Sequence, residues 1–245
     1  MIHDAIKTQL TQLGFKGMLQ AYKETRELSP QDLQHLDVFK QWLEAEITYR
    51  KTRSFMYRLK LAKLPQIKTL ESFQTEALSF DLTTLTQLSQ GHFIKNNENI
   101  LLVGGSGTGK THIALALAHS ALQQHYRIRF YKFSQLARAL SQAQAHGYEG
   151  ALMRRLQNFH LLIIDELGYL PIDQKAGALL FELFSALYEK VSVIITTHLT
   201  FEEWGDIFGN KKSTKAMIDR LTHHCKILQT GNQSWRLKEG AMVKK

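Results

Sequence analysis

A single cysteine, Cys225, in 245 residues has no partner for an internal disulfide, so the chain is not a disulfide-stapled scaffold. Prolines are scarce as well, at Pro30, Pro65 and Pro171, and little interrupts helix formation. No apolar run approaches the roughly 20 residues that a membrane helix requires. The opening Met1–Lys7 lacks the basic-then-apolar pattern of a secretory leader. These absences predict a cytoplasmic protein with no membrane partner. Acidic residues are in deficit: 22 Asp and Glu face 31 Lys and Arg, and the formal charge of +9 favours a polyanionic partner. What remains is a hydrophobic fraction of 44%, enough to build a core, over a length that suits one large domain or one medium and one small.

The first part of the chain reads as helix from Ile2 to about Leu64, because no glycine follows Gly17 there and apolar residues recur at helical spacing. Leu33, Leu36, Phe39, Leu43 and Ile47 form one such stripe. Ser29 is placed to cap that helix, with Pro30 in its first turn. From Ile47 to Leu70 there is no acidic residue, while Arg50, Lys51, Arg53, Arg58, Lys60, Lys63 and Lys68 accumulate among Tyr49, Phe55 and Tyr57. Two readings stand for this run. It suits contact with a phosphate backbone and exposed bases, and it equally suits a solvated helix face with its aromatics turned inward. Pro65 closes the helix, and Gln66 to Asn99 reads as a connector with a helical middle around Phe80–Gln90. A boundary near residues 65–75 divides a small all-helical domain, 1–70, from a second domain, 71–245.

The second domain is organised around Ile100–Leu117, I-L-L-V-G-G-S-G-T-G-K-T-H-I-A-L-A-L. An apolar strand breaks into a glycine-rich loop and then becomes a helix, the context that the P-loop pattern G-x-x-x-x-G-K-[ST] demands. Gly104, Gly105, Ser106, Gly107, Thr108 and Gly109 let the backbone curl its N–H groups around phosphate oxygens. The helix adds unpaired amides and the positive end of its dipole. Lys110 is placed to reach the β- and γ-phosphates of ATP, and the Thr111 hydroxyl to hold Mg²⁺.

Strand and helix then alternate, which predicts a parallel sheet with helices on its faces. Strands are expected at Arg127–Lys132, Leu161–Asp165 and Val191–Thr197. Helices are expected from a Ser134 cap to His146, over Glu149–Phe159, from Asp173 to Tyr188, after a Thr200/Glu203 capping box, and over Ser213–Thr222. Lys226–Gln229 and Ser234–Leu237 suggest a closing hairpin around Gly231-Asn232. The strand L-L-I-I-D-E delivers Asp165 and Glu166 to the crevice at the carboxyl edge of the sheet, Asp165 toward Mg²⁺ and Glu166 toward the attacking water. Thr196, Thr197 and His198 end the fourth strand, where a polar group can touch the γ-phosphate. Arg220, in A-M-I-D-R-L, either pairs within its own chain or reaches a neighbour's nucleotide in an assembly. Arg236, in S-W-R-L, is a second candidate for the nucleotide. His223, His224 and Cys225 are adjacent with diverging side chains and no second cluster at zinc spacing, so a structural or solvent-facing role is expected.

Taken together these strings resemble the IstB-type ATP-binding proteins of bacterial insertion sequences, a branch of the AAA+ ATPases near the DnaC-like helicase loaders. The resemblance runs over nearly the whole chain. It rests on E-A-E-I-T-Y-R-K-T-R, K-T-L-E-S-F, G-T-G-K-T-H, L-L-I-I-D-E-L-G-Y-L-P, F-E-L-F, I-I-T-T-H-L, E-E-W and A-M-I-D-R-L-T-H-H. It implies nucleotide and Mg²⁺ on Lys110 and Thr111, hydrolytic acids at Asp165 and Glu166, and an intersubunit finger at Arg220. The sensor position falls on His198, where the family pattern carries asparagine. The implied function is that of a transposition helper: a homo-oligomer formed with ATP on double-stranded DNA, with little sequence preference, that stimulates a partner transposase. A DnaC-like helicase loader and a DNA-binding adaptor without turnover are the alternatives on the same fold.

Overall fold

A computed structural model describes residues 2–24, 36–72, 81–170, 172–208 and 211–231. The chain divides into two compact units, Met1–Tyr57 and Arg58–Lys245. In the first, α1 (Ile2–Gln12), α2 (Lys16–Glu24) and most of α3 (Leu36–Ala62) make up the all-helical stretch that the sequence suggested, with a break between the first two. The break comes at Gly14, whose φ of 68° belongs to the left-handed region. Ser29 and Pro30 lie outside the described residues, as does Leu33.

The buried face of this unit differs from the expected stripe. Leu43 and Ile47 are exposed, whereas Leu10, Met18, Tyr22 and Trp42 form the core, with the Tyr22 and Trp42 rings edge to face at 5.1 Å. Close packing decides the face: a Cβ on Gly17 would lie 2.6 Å from both the Ala45 carbonyl oxygen and Tyr49 Cβ, so α2 approaches α3 through a bare backbone. One residue from that contact, buried Glu46 accepts hydrogen bonds from the Gly17 and Met18 amides at 2.7 and 3.1 Å, capping α2. Burial opposes its charge, but the bonds from Arg50 and these two amides outweigh it and hold the carboxyl below its ordinary value near 4.5. Glu46→Ala leaves two buried donors unpaired, and urea unfolding of this unit is expected to register a loss of about 2 kcal/mol. Because the folded carboxyl is the stronger acid, its contribution is intact above pH 4.5 and disappears as pH falls through the lower folded value.

The last turn of α3 belongs to the second unit, ahead of the boundary that Pro65 suggested. Arg129 donates to the Leu61 carbonyl at 2.8 Å and Ala62 is fully buried. Two short helices follow, α4 (Leu82–Ser89), capped by the Asp81 carboxylate, and α5 (His92–Lys95). Five strands then make one parallel sheet in the order β2-β3-β4-β1-β5: β1 (Asn99–Val103), β2 (Ile128–Lys132), β3 (Leu161–Leu167), β4 (Ser192–Thr197) and β5 (Cys225–Gln229). Intervening helices are α6 (Lys110–Gln123), α7 (Phe133–Ala145), α8 (Glu149–Gln157), α9 (Gln174–Leu187), α10 (Trp204–Phe208) and α11 (Lys211–His223). β3 and β4 are buried almost end to end, as strands covered on both faces must be.

Local signals hold in several places. Asp173 caps α9 through its carboxylate on the Ala176 amide at 2.6 Å, and Glu203 reaches back to the Thr200 amide at 2.7 Å. Two expectations change. α7 starts at Phe133 with Lys132 as its N-cap and no side-chain cap bond, so Ser134 lies inside the helix. The segment read as one arm of a hairpin is β5, paired in parallel with β1 from Asn99–Cys225 to Val103–Gln229, while Ser234–Leu237 lies outside the described residues. Among the described residues no helix is long and apolar enough to cross a membrane.

Candidate nucleotide site

β1 steps to β2 across two other strands, whereas β2, β3 and β4 return in sequence toward it, so the carboxyl ends of β1, β4 and β3 frame a crevice. The loop leaving β1 enters that crevice. Its first glycine is required by close approach: a Cβ on Gly104 would meet the Thr230 hydroxyl and approach the Gly231 carbonyl to 2.7 Å. Thr230 and Gly231, just beyond β5, brace the loop further, through Thr108 Oγ1 to Thr230 Oγ1 at 2.6 Å and the Gly105 amide to the Gly231 carbonyl at 3.0 Å. At the far end Gly109 has a φ of 90°, a left-handed conformation that starts α6 with its first amides turned toward the loop. Lys110 is buried and donates to the carbonyl oxygens of Gly105 and, at 2.7 Å, Gly104.

Asp165, at 2% exposure, accepts hydrogen bonds from Thr111 Oγ1 at 2.8 Å and Thr196 Oγ1 at 2.6 Å. Burial pushes its carboxyl above the ordinary value, the two hydroxyl bonds oppose that, and the neighbouring Glu166 charge adds to it. Hard oxygen donors from a hydroxyl and a carboxylate suit Mg²⁺, and a cation there relieves the penalty on the buried charge, so these residues fit that ion.

Glu166 is turned by a bulge. Ile164 pairs with Ile195 and Leu167 with Thr197, leaving two β3 residues opposite the single Thr196. The Thr196 hydroxyl spans the irregularity, donating to Asp165 and accepting from the Glu166 amide at 2.9 Å. Glu166 takes a φ of 63°, a left-handed conformation that a glutamate adopts only when its surroundings impose it. Its Oε2 accepts from Lys132 Nζ at 2.8 Å, with Lys132 paired to Asp165 at the end of β2, and that bond holds the ammonium above its ordinary value. The two side chains are 46% and 40% exposed, so the pair is worth under about 1 kcal/mol and is easily exchanged.

Residues 106–111, Glu166 and Thr196 line a cavity of about 360 Å³ shared with Gln66, Lys68, His112 and Tyr169, and Lys132 reaches it through its bond to Glu166. Gln66 and Lys68 come from the connector, held to α6 by the His112 ring, whose Nε2 lies 3.2 Å from the Thr69 carbonyl. Lys68 was legible only as one more cation in the basic run. Lys132 and Gln66 carried no local signal, because strand register and connector folding bring them here.

His198 lies elsewhere, in an adjoining cavity of about 430 Å³ lined also by Gly105, Ser106 and Gln229, its ring edge-on to Tyr169 at 4.4 Å. Thr196, rather than His198, is the β4 residue bonded to the acids. Arg220 is exposed near the end of α11, over the Phe181 ring at 5.6 Å. β5, which follows α11, starts alongside Asn99, whereas the phosphate loop leaves from Val103 at the other end of β1. Arg220 therefore lies near the edge of the sheet opposite its own loop. Arg236 is outside the described residues.

The basic run is mixed. Arg50 is bound to Glu46 at 2.6 Å and packs over the Phe15 ring, and Arg58 bonds to His125 Nδ1 at 2.8 Å. Lys51, Arg53, Lys60 and Lys63 are exposed.

Residues 8–242 match the family model described as IstB-like ATP binding protein. The chain is 36% identical over 198 residues to the insertion sequence IS21 ATP-binding protein of Pseudomonas aeruginosa, spanning 80% of this chain and 75% of that protein. It is 38% identical over 201 residues to the insertion sequence IS5376 ATP-binding protein of Geobacillus stearothermophilus, covering 80% and 79%. The crystal structure of the DnaC helicase loader is similar with a TM-score of 0.56 at 17% identity, over 66% of this chain and 95% of that one. At such identity the likeness speaks for the fold alone, a parallel sheet flanked by helices with a phosphate loop after its first strand.

Proposed function

The chain belongs to the IstB-like ATP-binding proteins of insertion sequences, and on that premise we propose a Mg²⁺-dependent ATPase that assembles on duplex DNA and serves its element's transposase. One constellation carries the ATPase reading: Thr111 and buried Asp165 bonded to each other beside the phosphate loop, with Glu166 the next residue on the bulge. In this reading Lys110 leaves the loop carbonyls for the β- and γ-phosphate oxygens. Thr111 and Asp165 hold Mg²⁺, which when bound neutralises phosphate charge. Glu166 exchanges Lys132 for a water and takes its proton. The water oxygen bonds to the γ-phosphorus as the bond to the bridging oxygen of the leaving ADP breaks.

Arg220, remote from its own loop, acts on the nucleotide of the next subunit, so an intact γ-phosphate joins two chains and hydrolysis releases them. The reading is tested by sedimentation of the full chain with duplex DNA in ATP and in ADP, with Lys110→Ala as the control. ATP-specific assembly that disappears in Lys110→Ala is expected, and assembly indifferent to nucleotide overturns the mechanism. The transposase is expected to co-purify with the ATP-bound assembly on DNA. Acting on DNA beside a transposase, the protein works in the cytoplasm.

Among the basic residues of the first unit, Lys51 and Arg53 are exposed for phosphate contact, whereas Arg50 also supports the fold through Glu46. Neutralising Lys51 and Arg53 is expected to weaken binding to all duplex sequences alike. The slope of log affinity against log salt flattens by about 0.9 for each phosphate that the variant no longer neutralises. An unchanged slope assigns these two side chains to a protein interface or to idle surface.

A further inference from the structure

The two turns that feed β4 and β5 meet at the edge of the sheet opposite the phosphate loop. Tyr188 and Glu189 open the first, directly after α9, while His223 is the last residue of α11 and His224 joins it to β5. Both turns flank the start of β1: the Asn97 side chain donates to the Glu189 carbonyl at 3.0 Å, and the Asn99 amide to the His224 carbonyl at 2.7 Å. Glu189 holds a φ of 56°, so its position is fixed by a left-handed turn.

Here the side chains gather more closely than sequence neighbours were expected to. The His223 and His224 rings are 4.1 Å apart between centroids, His224 Nε2 is 3.7 Å from Glu189 Oε1, and one ligand atom from each of the three residues falls within 4.8 Å of the others. His223 Nδ1 lies 2.8 Å from Tyr188 Oη, the kind of partner that fixes a metal-bound imidazole and leaves its other nitrogen for the ion. Cys225, the next residue along, is not among the groups that converge here.

We propose that Glu189, His223 and His224 form a surface site for one transition-metal ion of the Zn²⁺ class, clamping the α9–β4 turn to the α11–β5 turn. Two imidazoles and a carboxylate are a three-ligand zinc set whose fourth position is open to water. Nitrogen donors select Zn²⁺ over Mg²⁺, so the site is chemically distinct from the oxygen-lined pocket at the other edge. Bonds of about 2.0–2.2 Å to a common ion need the ligand atoms to close from their present separation, a movement that exposed side chains make by rotation. The competing account is a bare ion pair between Glu189 and a protonated His224, which requires no metal.

The test is titration of the metal-stripped full chain, without nucleotide, by ZnCl₂ in competition with a chromophoric chelator, with MgCl₂ as a second arm. One Zn²⁺ per chain is expected, with no competition from equimolar Mg²⁺. Affinity falls at least tenfold in Tyr188→Phe, which keeps all three ligands, and about a hundredfold in His223→Ala or His224→Ala. Zn²⁺ raises the melting temperature of the wild type and not that of the histidine variants. Should an alanine variant fail to fold, Glu189→Gln removes a ligand at unchanged shape and must weaken binding by a similar factor. Absence of stoichiometric Zn²⁺ binding, or binding that these substitutions leave unaltered, overturns the proposal.

Discussion

Glu166→Gln is expected to lower steady-state ATP turnover about 10²- to 10⁴-fold while leaving ATP binding and ATP-dependent assembly in place. The amide has the shape of the carboxylate and can accept the Lys132 hydrogen bond, so the bulge and the Thr196 bond to its backbone are preserved. What disappears is the proton acceptor for the attacking water. With binding assigned in this proposal to the loop, Lys110 and Thr111, the variant is expected to hold triphosphate that it does not cleave, and its assembly on DNA to outlast that of the wild type. Turnover measured by phosphate release, beside nucleotide affinity measured by fluorescence, separates the two effects. A fall in affinity with unchanged turnover at saturation removes Glu166 from the role of base. The exposed pair with Lys132 bears on the same point: the weak bond that engages the carboxylate is one that an incoming water and nucleotide readily displace.

How far this site was legible depended on whether its parts are local in sequence. The phosphate loop and the Asp165-Glu166 pair each occupy a few consecutive residues at the end of an apolar strand, and both stand out from composition and context alone. Lys132 and Gln66 do not, since nothing near them in the chain marks them; β2 pairs Lys132 with Asp165, and a connector lays Gln66 across the cavity. Thr196 is one of three polar residues at a strand tip, and only the bulge opposite it singles it out as the hydroxyl that bonds both the Asp165 carboxylate and the Glu166 amide. The same limit governs the fold. α3 carries apolar side chains on more than one face, so helical spacing favoured Leu43 and Ile47, and the approach of Gly17 is what buries Trp42 and Glu46 instead. β5 looked like a hairpin arm because its nearest strand-like neighbour in sequence follows it, yet its pairing is with β1, more than a hundred residues earlier. The third ligand of the proposed metal site, Glu189, is separated from His223 by 34 positions and was invisible for that reason.

Arg220→Ala is expected to reduce turnover of the DNA-bound assembly about 10³-fold, with no change in the affinity of a single chain for ATP. A residue near the opposite edge of the sheet from its own loop has no direct route to its own γ-phosphate, and its packing on the Phe181 ring leaves the guanidinium exposed. Any effect on hydrolysis must then be exerted in a second copy, which makes the result testable by mixing. Arg220→Ala supplies an intact Glu166 and Glu166→Gln supplies an intact Arg220, and in a head-to-tail array about a quarter of randomly formed junctions unite the two. Neither variant alone hydrolyses ATP at an appreciable rate, whereas their mixture on DNA recovers turnover that scales with the fraction of such junctions. A mixture as inactive as its components refutes action across subunits. An Arg220→Ala chain that is impaired at concentrations where no assembly forms shows instead that the arginine supports α11 within its own chain. Arg220→Lys completes the series: it retains the charge but not the planar fork that meets phosphate oxygens in pairs, so it restores assembly more fully than it restores rate.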